Sequence, residues 1–412
     1  MQINLYVNNT TLEASKDMIR SIDNKDLEIE HIIVVPDKYS LQMERLLLEM
    51  LPSKALFNVR VLGLTSLAND IFNRLGIKVE VLTAGECLLL TEKAIENVQS
   101  RLEVFKHSNI SFCYEINKLI AQLKSSSVSM EDLNENAQGM TGAKYHDLAL
   151  IYNEYQNLLG GKLDANERLA LLTTVISESQ ILSKSKIYFA QFESFTAEGY
   201  NLIKTIAKTS MEINISLSRA KSIGNDYIYE DDIFKKLNAL SKEIDCKINV
   251  VENELSLSPQ RQAIVTGLYS YDQITCENKG YYTLYESKNI IEEVEGIAKL
   301  IYNRLYNGYK FKDIAVLTSD IQKYQNIIDK TFKKYNFAYY IDSSLTARET
   351  LLGNLINLVF ETVILGYPND RLVSVLTNIL LGKDDEGIKL CQKKNIDGKY
   401  KYKKYLEKHF RY

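Results

Sequence analysis

The sequence is poor in several features that usually declare a function. Its five cysteines, Cys87, Cys113, Cys246, Cys276 and Cys391, are scattered, with no CxxC pair and no Cys/His spacing suited to zinc. That excludes a recognisable zinc motif and fits reduced thiols. Basic residues are not in excess: 50 Lys and Arg stand against 53 Asp and Glu, a net charge of -3. A protein that coats nucleic acid through its overall charge is thereby excluded. A local basic groove is not, because phosphate affinity depends on how cations cluster. No apolar run approaches the roughly 20 residues that cross a bilayer, and the N-terminus lacks the basic and apolar regions of a secretory signal. A soluble, cytoplasmic protein without membrane contact is expected. Glycine is missing where it would matter most. In INLYVNNTTLEASK (residues 3–16) an apolar strand passes through a short loop into a helix, the place where phosphates are usually cradled. That loop is Asn8, Asn9, Thr10 and Thr11, and Lys16 stands too far along the helix to reach a β- or γ-phosphate. The free N–H groups of the helix start remain a weak anion site.

What is present is a long alternation of short apolar runs and helical periods. At 412 residues the chain exceeds the size of a single core, and its 45% hydrophobic and 25% charged content is that of a globular protein. Strands are expected at 3–7, 32–35 and 59–62, the second stopped by Pro36, with a helix on Leu64, Leu67, Ala68 and Ile71. Near-continuous apolar strands alternating with helices indicate a parallel sheet covered on both faces. TAGE, with Thr83 and Glu86 three apart, is a capping box that opens a long helical stretch. Strand patterns return at KIYFA (186–190) and EINISLS (212–218). The expected organisation is therefore an α/β lobe made of 1–83 and 181–218, a helical insertion over 84–180, a connector over 219–279 with a helix near 231–243, and a second α/β lobe begun at 280–412. In that last part, strands are expected at 280–287, 313–318 and 337–342, between helices at 290–308, 321–336 and 348–366.

The second block resembles the start of the second motor lobe of superfamily 1 helicases of the UvrD/RecB type, through its glutamate-rich helix start, YNGYKFKDIAVLTSD and YYID. Active members carry an arginine soon after that strand; here Thr318, Ser319 and Asp320 follow, with no arginine until Arg348. In the first block, KIYFAQFESFT offers Gln191, Phe192 and Glu193 where metal-holding carboxylates would stand. Both halves of the ATP chemistry lack their groups together.

Three further stretches, VPDKYS with Gln42 and Glu44, AKYHDLALIYNEYQNLL (143–159) followed by Asp164, and FESFTAEGYNLIKTIA (192–207), make the chain similar to the N-terminal part of the B subunit of the bacterial ATP-dependent helicase/nuclease, the AddB/RexB type. GKYKY (398–402) resembles a Gly-Lys-x-x-aromatic element of that family, with Tyr402 in place of the usual Trp. The resemblance implies RecA-like lobes, the second incomplete. It implies a non-catalytic helicase-like subunit that binds single- and double-stranded DNA and an A-type partner in a heterodimer, during double-strand-break repair. No catalytic or metal residue is expected in this chain. Mg2+ and a 4Fe-4S cluster are implied only for a C-terminal part beyond this sequence, which on this reading is a fragment or a shortened relative. Strand carboxyl ends gather ligands in open α/β sheets, so the DNA-binding candidates are Pro36, Lys38, Tyr39, Thr65, Phe192, Phe195 and Thr196. The aromatics among them would stack bases or else pack the core. Asp272 with Glu286, Ser287 and Lys288 imitates a magnesium-nuclease pattern but reads better as a turn before a helix. The Lys/Tyr-rich tail (393–412) reads as a solvated helix face or a backbone-binding strip. A weak P-loop-like NTPase and a stand-alone interaction module are the alternative functions.

Overall fold

The computed structural model describes residues 2–8, 10–23, 26–51, 57–106, 110–128, 132–133, 142–218, 228–253, 258–267, 282–343, 347, 350–382 and 384–407. Two compact units divide at residues 281 and 282.

In the first unit the elements are β1 (Gln2–Asn8), α1 (Thr11–Arg20), β2 (Glu30–Val35), α2 (Ser40–Met50), β3 (Val59–Gly63), α3 (Leu64–Arg74), α4 (Ala84–Val98), α5 (Ile110–Ser125), α6 (Gly142–Leu159), α7 (Ala165–Glu178), β4 (Ser185–Phe189), α8 (Ala197–Thr209), β5 (Glu212–Ser218), α9 (Ile228–Glu243), β6 (Lys247–Glu252) and α10 (Pro259–Gly267). The six strands form one sheet in the order β3-β2-β4-β5-β1-β6, every pair parallel. Alternation within each strand feeds two cores, as a pleat requires. Ile3, Leu5, Ile32, Val34, Ile187 and Phe189 face α3, α7 and α8, whereas Ile33, Val35 and Tyr188 face α1 and α2. Because the sheet is covered on both sides, its strands read as continuous apolar runs.

The expected strands at 3–7, 32–35, 59–62, 186–190 and 212–218 all form, within a residue or two at their ends. Thr83 and Glu86 make the reciprocal capping box. Between α3 and β4 the helices α4, α5 and α6 enclose a core of their own around Ala94, Ile95, Ile116, Ile120, Ile151 and Tyr155. The stretch read as a connector holds more than a linker. After α9, β6 pairs with β1 in register Ile3↔Ile248 and extends the sheet to six strands. KINVVE has four exposed and two half-buried residues, as an edge strand does, and so lacks the buried apolar run that marks the others.

The second unit contains α11 (Ile290–Tyr306), α12 (Ile321–Lys334), α13 (Leu351–Ile364), α14 (Asn369–Leu376) and α15 (Asp385–Lys394). α11 and α12 pack through Val294, Ala298, Ile301, Ile328 and Phe332. The strands expected at 313–318 and 337–342 differ from expectation: neither segment forms a ladder among the described residues, and Asp313 ends a short turn of helix over Phe311–Asp313. The same holds for the described part of 280–287. Their inward residues, Ile314, Phe337, Tyr339 and Ile341, lie on the two helices, while Leu317 and Tyr340 are 93% and 86% exposed. A cavity of about 750 Å³ is lined by both segments. A period-two pattern specifies an extended backbone facing a helix layer, but a ladder also needs a neighbour at about 4.8 Å.

The Gly-Lys-x-x-aromatic element has a structural role. Gly398 holds a left-handed backbone (φ +88°) that a side chain resists, its N–H donates to Tyr367 O at 2.9 Å, and Tyr402 stacks on Tyr367 with centroids 4.3 Å apart.

Candidate nucleic-acid interface

Since all six strands run the same way, the loops leaving β1, β2, β3 and β4 meet on one rim. The loop after β1 is turned inward. Asn8, 5% exposed, donates from Nδ2 to Asp17 Oδ2 at 2.8 Å. Asn9 lies outside the described residues. Thr10 caps α1 by accepting the Glu13 N–H at 3.2 Å. Glu13 thus occupies the first turn, and Lys16 is bound to it at 2.6 Å. Over this turn lies Gln191, at the exit of β4, held in a left-handed backbone at φ +63°. That turn directs its amide to Thr11 O at 3.4 Å and Ser15 Oγ at 3.0 Å, and Ser15 Oγ meets Ser216 Oγ at 2.9 Å. Ser15 and Ser216 are wholly buried. The space above β1, β5 and β4 is therefore filled by a hydrogen-bonded polar plug. The crevice lined by Leu12, Tyr39, Met43 and Gln191 has a volume of about 10 Å³, far below the several hundred that small-molecule sites occupy. A phosphate arriving here would have to displace Gln191 and approach the Glu13 carboxylate.

The outer rim is open. Pro36 ends β2, and its carbonyl accepts the Tyr39 N–H at 2.8 Å, closing a short turn that presents Lys38 and Tyr39 to solvent. Asp37 on this turn rests against Gly63: a Cβ there would stand 1.7 Å from Asp37 Oδ1. Close approach, not backbone angle, requires the glycine. Thr65, in the first turn of α3, accepts a hydrogen bond from Arg168 of α7 at 2.9 Å. Thr196 caps α8 through the Gly199 N–H at 3.1 Å. Phe192 and Phe195 stack on each other at 5.1 Å, half-buried, and both meet Phe189 edge-on. One side of this pair packs the core, which leaves Tyr39 as the rim aromatic that stands clear of it.

Behind the rim, the Glu198 carboxyl in the first turn of α8 is pushed up to about 7, first by burial and then by the nearby Asp164 charge, against a smaller opposing effect of Lys124. Its folded value lies above the 4.5 of the free group, so the folded state holds the proton more tightly. The resulting stabilisation is fully present below about pH 4.5 and is lost as pH rises through 7. Urea midpoints measured from pH 5 to pH 8 are expected to fall with pH, and Glu198→Gln should flatten that decline; an equally steep decline in the variant would refute the assignment.

Of the remaining sequence candidates, Glu193 is exposed in the loop after β4, Glu286 and Lys288 are exposed, and Asp272 and Arg348 lie outside the described residues. Asp320 caps α12 through the Lys323 N–H at 3.2 Å. Among the described residues no three His, Cys, Asp or Glu side chains gather as a metal site, and no helix is long and apolar enough to cross a membrane. Sequence reading missed Arg168, which sits in an unremarkable amphipathic helix with no local signal. It named Gln191 only as a residue standing where a carboxylate was expected.

The strand order and the helical excursion between β3 and β4 define an α/β protein of the RecA-like type. The sequence pattern of the family described as ADDB, N-terminal, matches residues 9–263, and the chain belongs to that family. It is similar to the B subunit of the ATP-dependent helicase/deoxyribonuclease of Clostridium botulinum (strain Hall), 25% identical over 406 residues that cover 92% of this chain and 35% of the relative. The protein of the same name from Clostridioides difficile (strain 630) is 25% identical over 427 residues, 96% of this chain and 36% of the relative. That from Ruminiclostridium cellulolyticum is 25% identical over 409 residues, 91% and 35%. The chain spans about a third of the length of these curated relatives.

Proposed function

We propose that this chain is a helicase-like DNA-repair scaffold that binds single-stranded DNA on its open rim and leaves ATP hydrolysis to an A-type partner. The observation that carries the reading is the contrast within one sheet edge. The phosphate position of a working motor is occupied by Gln191, Ser15 and Ser216, and the one lysine nearby, Lys16, is already paired with Glu13. The neighbouring loops nonetheless keep an exposed lysine, an exposed tyrosine and two helix starts. A fold that retains a motor's strand order without room for the triphosphate retains the track for the strand. The relatives are named as a B subunit, which supports a partner, and their helicase and deoxyribonuclease designation supports DNA as the ligand. In this reading Lys38 meets phosphate and Tyr39 stacks on a base, with Pro36 and Gly63 holding that turn in place; Thr65 and Thr196 mark the helix starts beside the strand's path, and Phe192 and Phe195 form the floor beneath it.

The test is fluorescence anisotropy with a labelled oligothymidylate over a range of salt. Binding by the whole chain should weaken steeply with salt, by a slope of about 0.7 in log–log form for each phosphate neutralised. Tyr39→Ala should cost about 1–3 kcal/mol of binding. Salt-independent binding, nucleotide turnover by the isolated chain, or a rise in melting temperature with ATP would each contradict the proposal, the last two in favour of a weak NTPase.

A further inference from the structure

We propose that Arg168 is a phosphate contact for the single strand on this rim, aimed by Thr65. The inference rests on the reading of the rim as a nucleic-acid interface and adds a residue to it. Arg168 lies in the first full turn of α7, directly after the capping-box residue Glu167. Its Nη2 donates to Thr65 Oγ1 at 2.9 Å, across 103 residues of chain. This contact brings the start of α7 to the start of α3, at the carboxyl end of β3.

The charge environment is what sets Arg168 apart. At Arg60 and Arg74 each guanidinium is matched: Arg60 reaches Asp70 through both terminal nitrogens at 2.8 and 2.7 Å, and Arg74 reaches Glu30 at 3.0 and 2.6 Å. Arg168 has no carboxylate within ion-pair distance among the described residues, and the two carboxylates that open its own helix, Asp164 and Glu167, are both taken by Lys124. Arg168 is half-buried, and its partner is a neutral hydroxyl. The guanidinium has five donors in a planar fork suited to bidentate phosphate recognition, and Thr65 engages one of them. A half-desolvated cation oriented by a hydroxyl and left without a counter-charge fits an anion that comes from outside the chain. On this rim, that anion is the backbone of the strand. A residue held only for packing would use its aliphatic stem and gain nothing from the charge, and this difference is measurable.

The experiment compares the whole chain with Arg168→Gln, Arg168→Lys and Thr65→Val, each titrated against labelled oligothymidylate between about 50 and 200 mM KCl. Arg168→Gln should weaken binding several-fold at the low-salt end and reduce the magnitude of the log–log salt slope by about 0.7, the share of one phosphate on a single strand. Arg168→Lys keeps the charge but loses the fork; its slope should match the parent while affinity drops. Thr65→Val should likewise leave the slope and weaken binding, because the cation remains but is no longer aimed. Melting temperatures separate these effects from folding, and a Gln variant that melts with the parent yet loses the slope supports the assignment. Salt-sensitive binding by the parent with an unchanged slope in Arg168→Gln overturns the role of Arg168 and leaves the rim reading intact. Parent binding without salt dependence overturns both.

Discussion

Asp147→Ala is expected to destabilise the helical part of the first unit by about 3 kcal/mol, since three backbone donors lose their acceptor at about 1 kcal/mol each, the low end of the range because two of them belong to exposed residues. Asp147 on α6 is fully buried. Its carboxylate accepts the N–H of Glu103 at 2.9 and 3.1 Å, of Val104 at 2.8 Å and of Phe105 at 2.9 Å. Those residues follow the α4 region, more than 40 positions earlier in the chain, so one side chain ties the exit of α4 to the middle of α6. Phe105 and its neighbour Phe112, 4.9 Å apart, pack on the same core. Chemical denaturation of the whole chain should show the loss, and hydrogen exchange should show protection vanishing first at 103–105. Asp147→Asn keeps one acceptor oxygen and should cost clearly less. A change below about 1 kcal/mol in the alanine variant would mean that water replaces the carboxylate freely, and the tether would then have no energetic weight.

Lys124→Met is the second large effect, about 3–5 kcal/mol, the usual result of removing one partner from a buried ion pair. Lys124 on α5 and Asp164 before α7 are each 7% exposed and directly paired. Glu167 adds a second carboxylate at 3.0 Å, and the ammonium lies 5.0 Å from the Tyr155 ring centre. Asp164 also caps α7 through the N–H groups of Asn166 and Glu167, both at 3.0 Å. An uncharged methionine side chain in place of the ammonium would leave Asp164 buried beside Glu167 with no cation. Adding Asp164→Asn preserves a capping oxygen and removes the stranded charge, so the double variant should be more stable than Lys124→Met alone. A double-mutant cycle of urea midpoints reads this directly, and a double variant no better than the single would exclude a charge-based cost.

Much of the fold was legible because its elements are local statements. The apolar runs at Ile3, Ile32, Val59, Ile187 and Ile213 became strands with nearly their expected ends. The Thr83 capping box formed as written. The edge strand β6 was hidden because four of its six residues are exposed, and Lys247, Asn249 and Glu252 break up its apolar residues. Along 313–318 and 337–342 the apolar patterns predicted strands that do not form among the described residues, because pairing depends on partners that a pattern within one segment cannot name. At the rim, sequence spacing located the loops after β1, β2, β3 and β4 and singled out Lys38, Tyr39 and Thr65. It could not tell that Phe192 and Phe195 would turn one side to the core.

By itself the sequence determined where strands, helices and turns lie, which faces are apolar, and that the loop after β1 lacks the glycines that wrap a phosphate. Those properties arise within a few residues, from backbone sterics and the periods of strand and helix. Tertiary structure alone decided that Gln191 settles on Ser15 from 176 residues away, that Asp147 gathers a distant loop, and that Arg168 is left with Thr65 instead of a carboxylate. Such contacts follow from strand order and helix packing, and no local sequence term encodes the meeting of residues that only the folded sheet brings together.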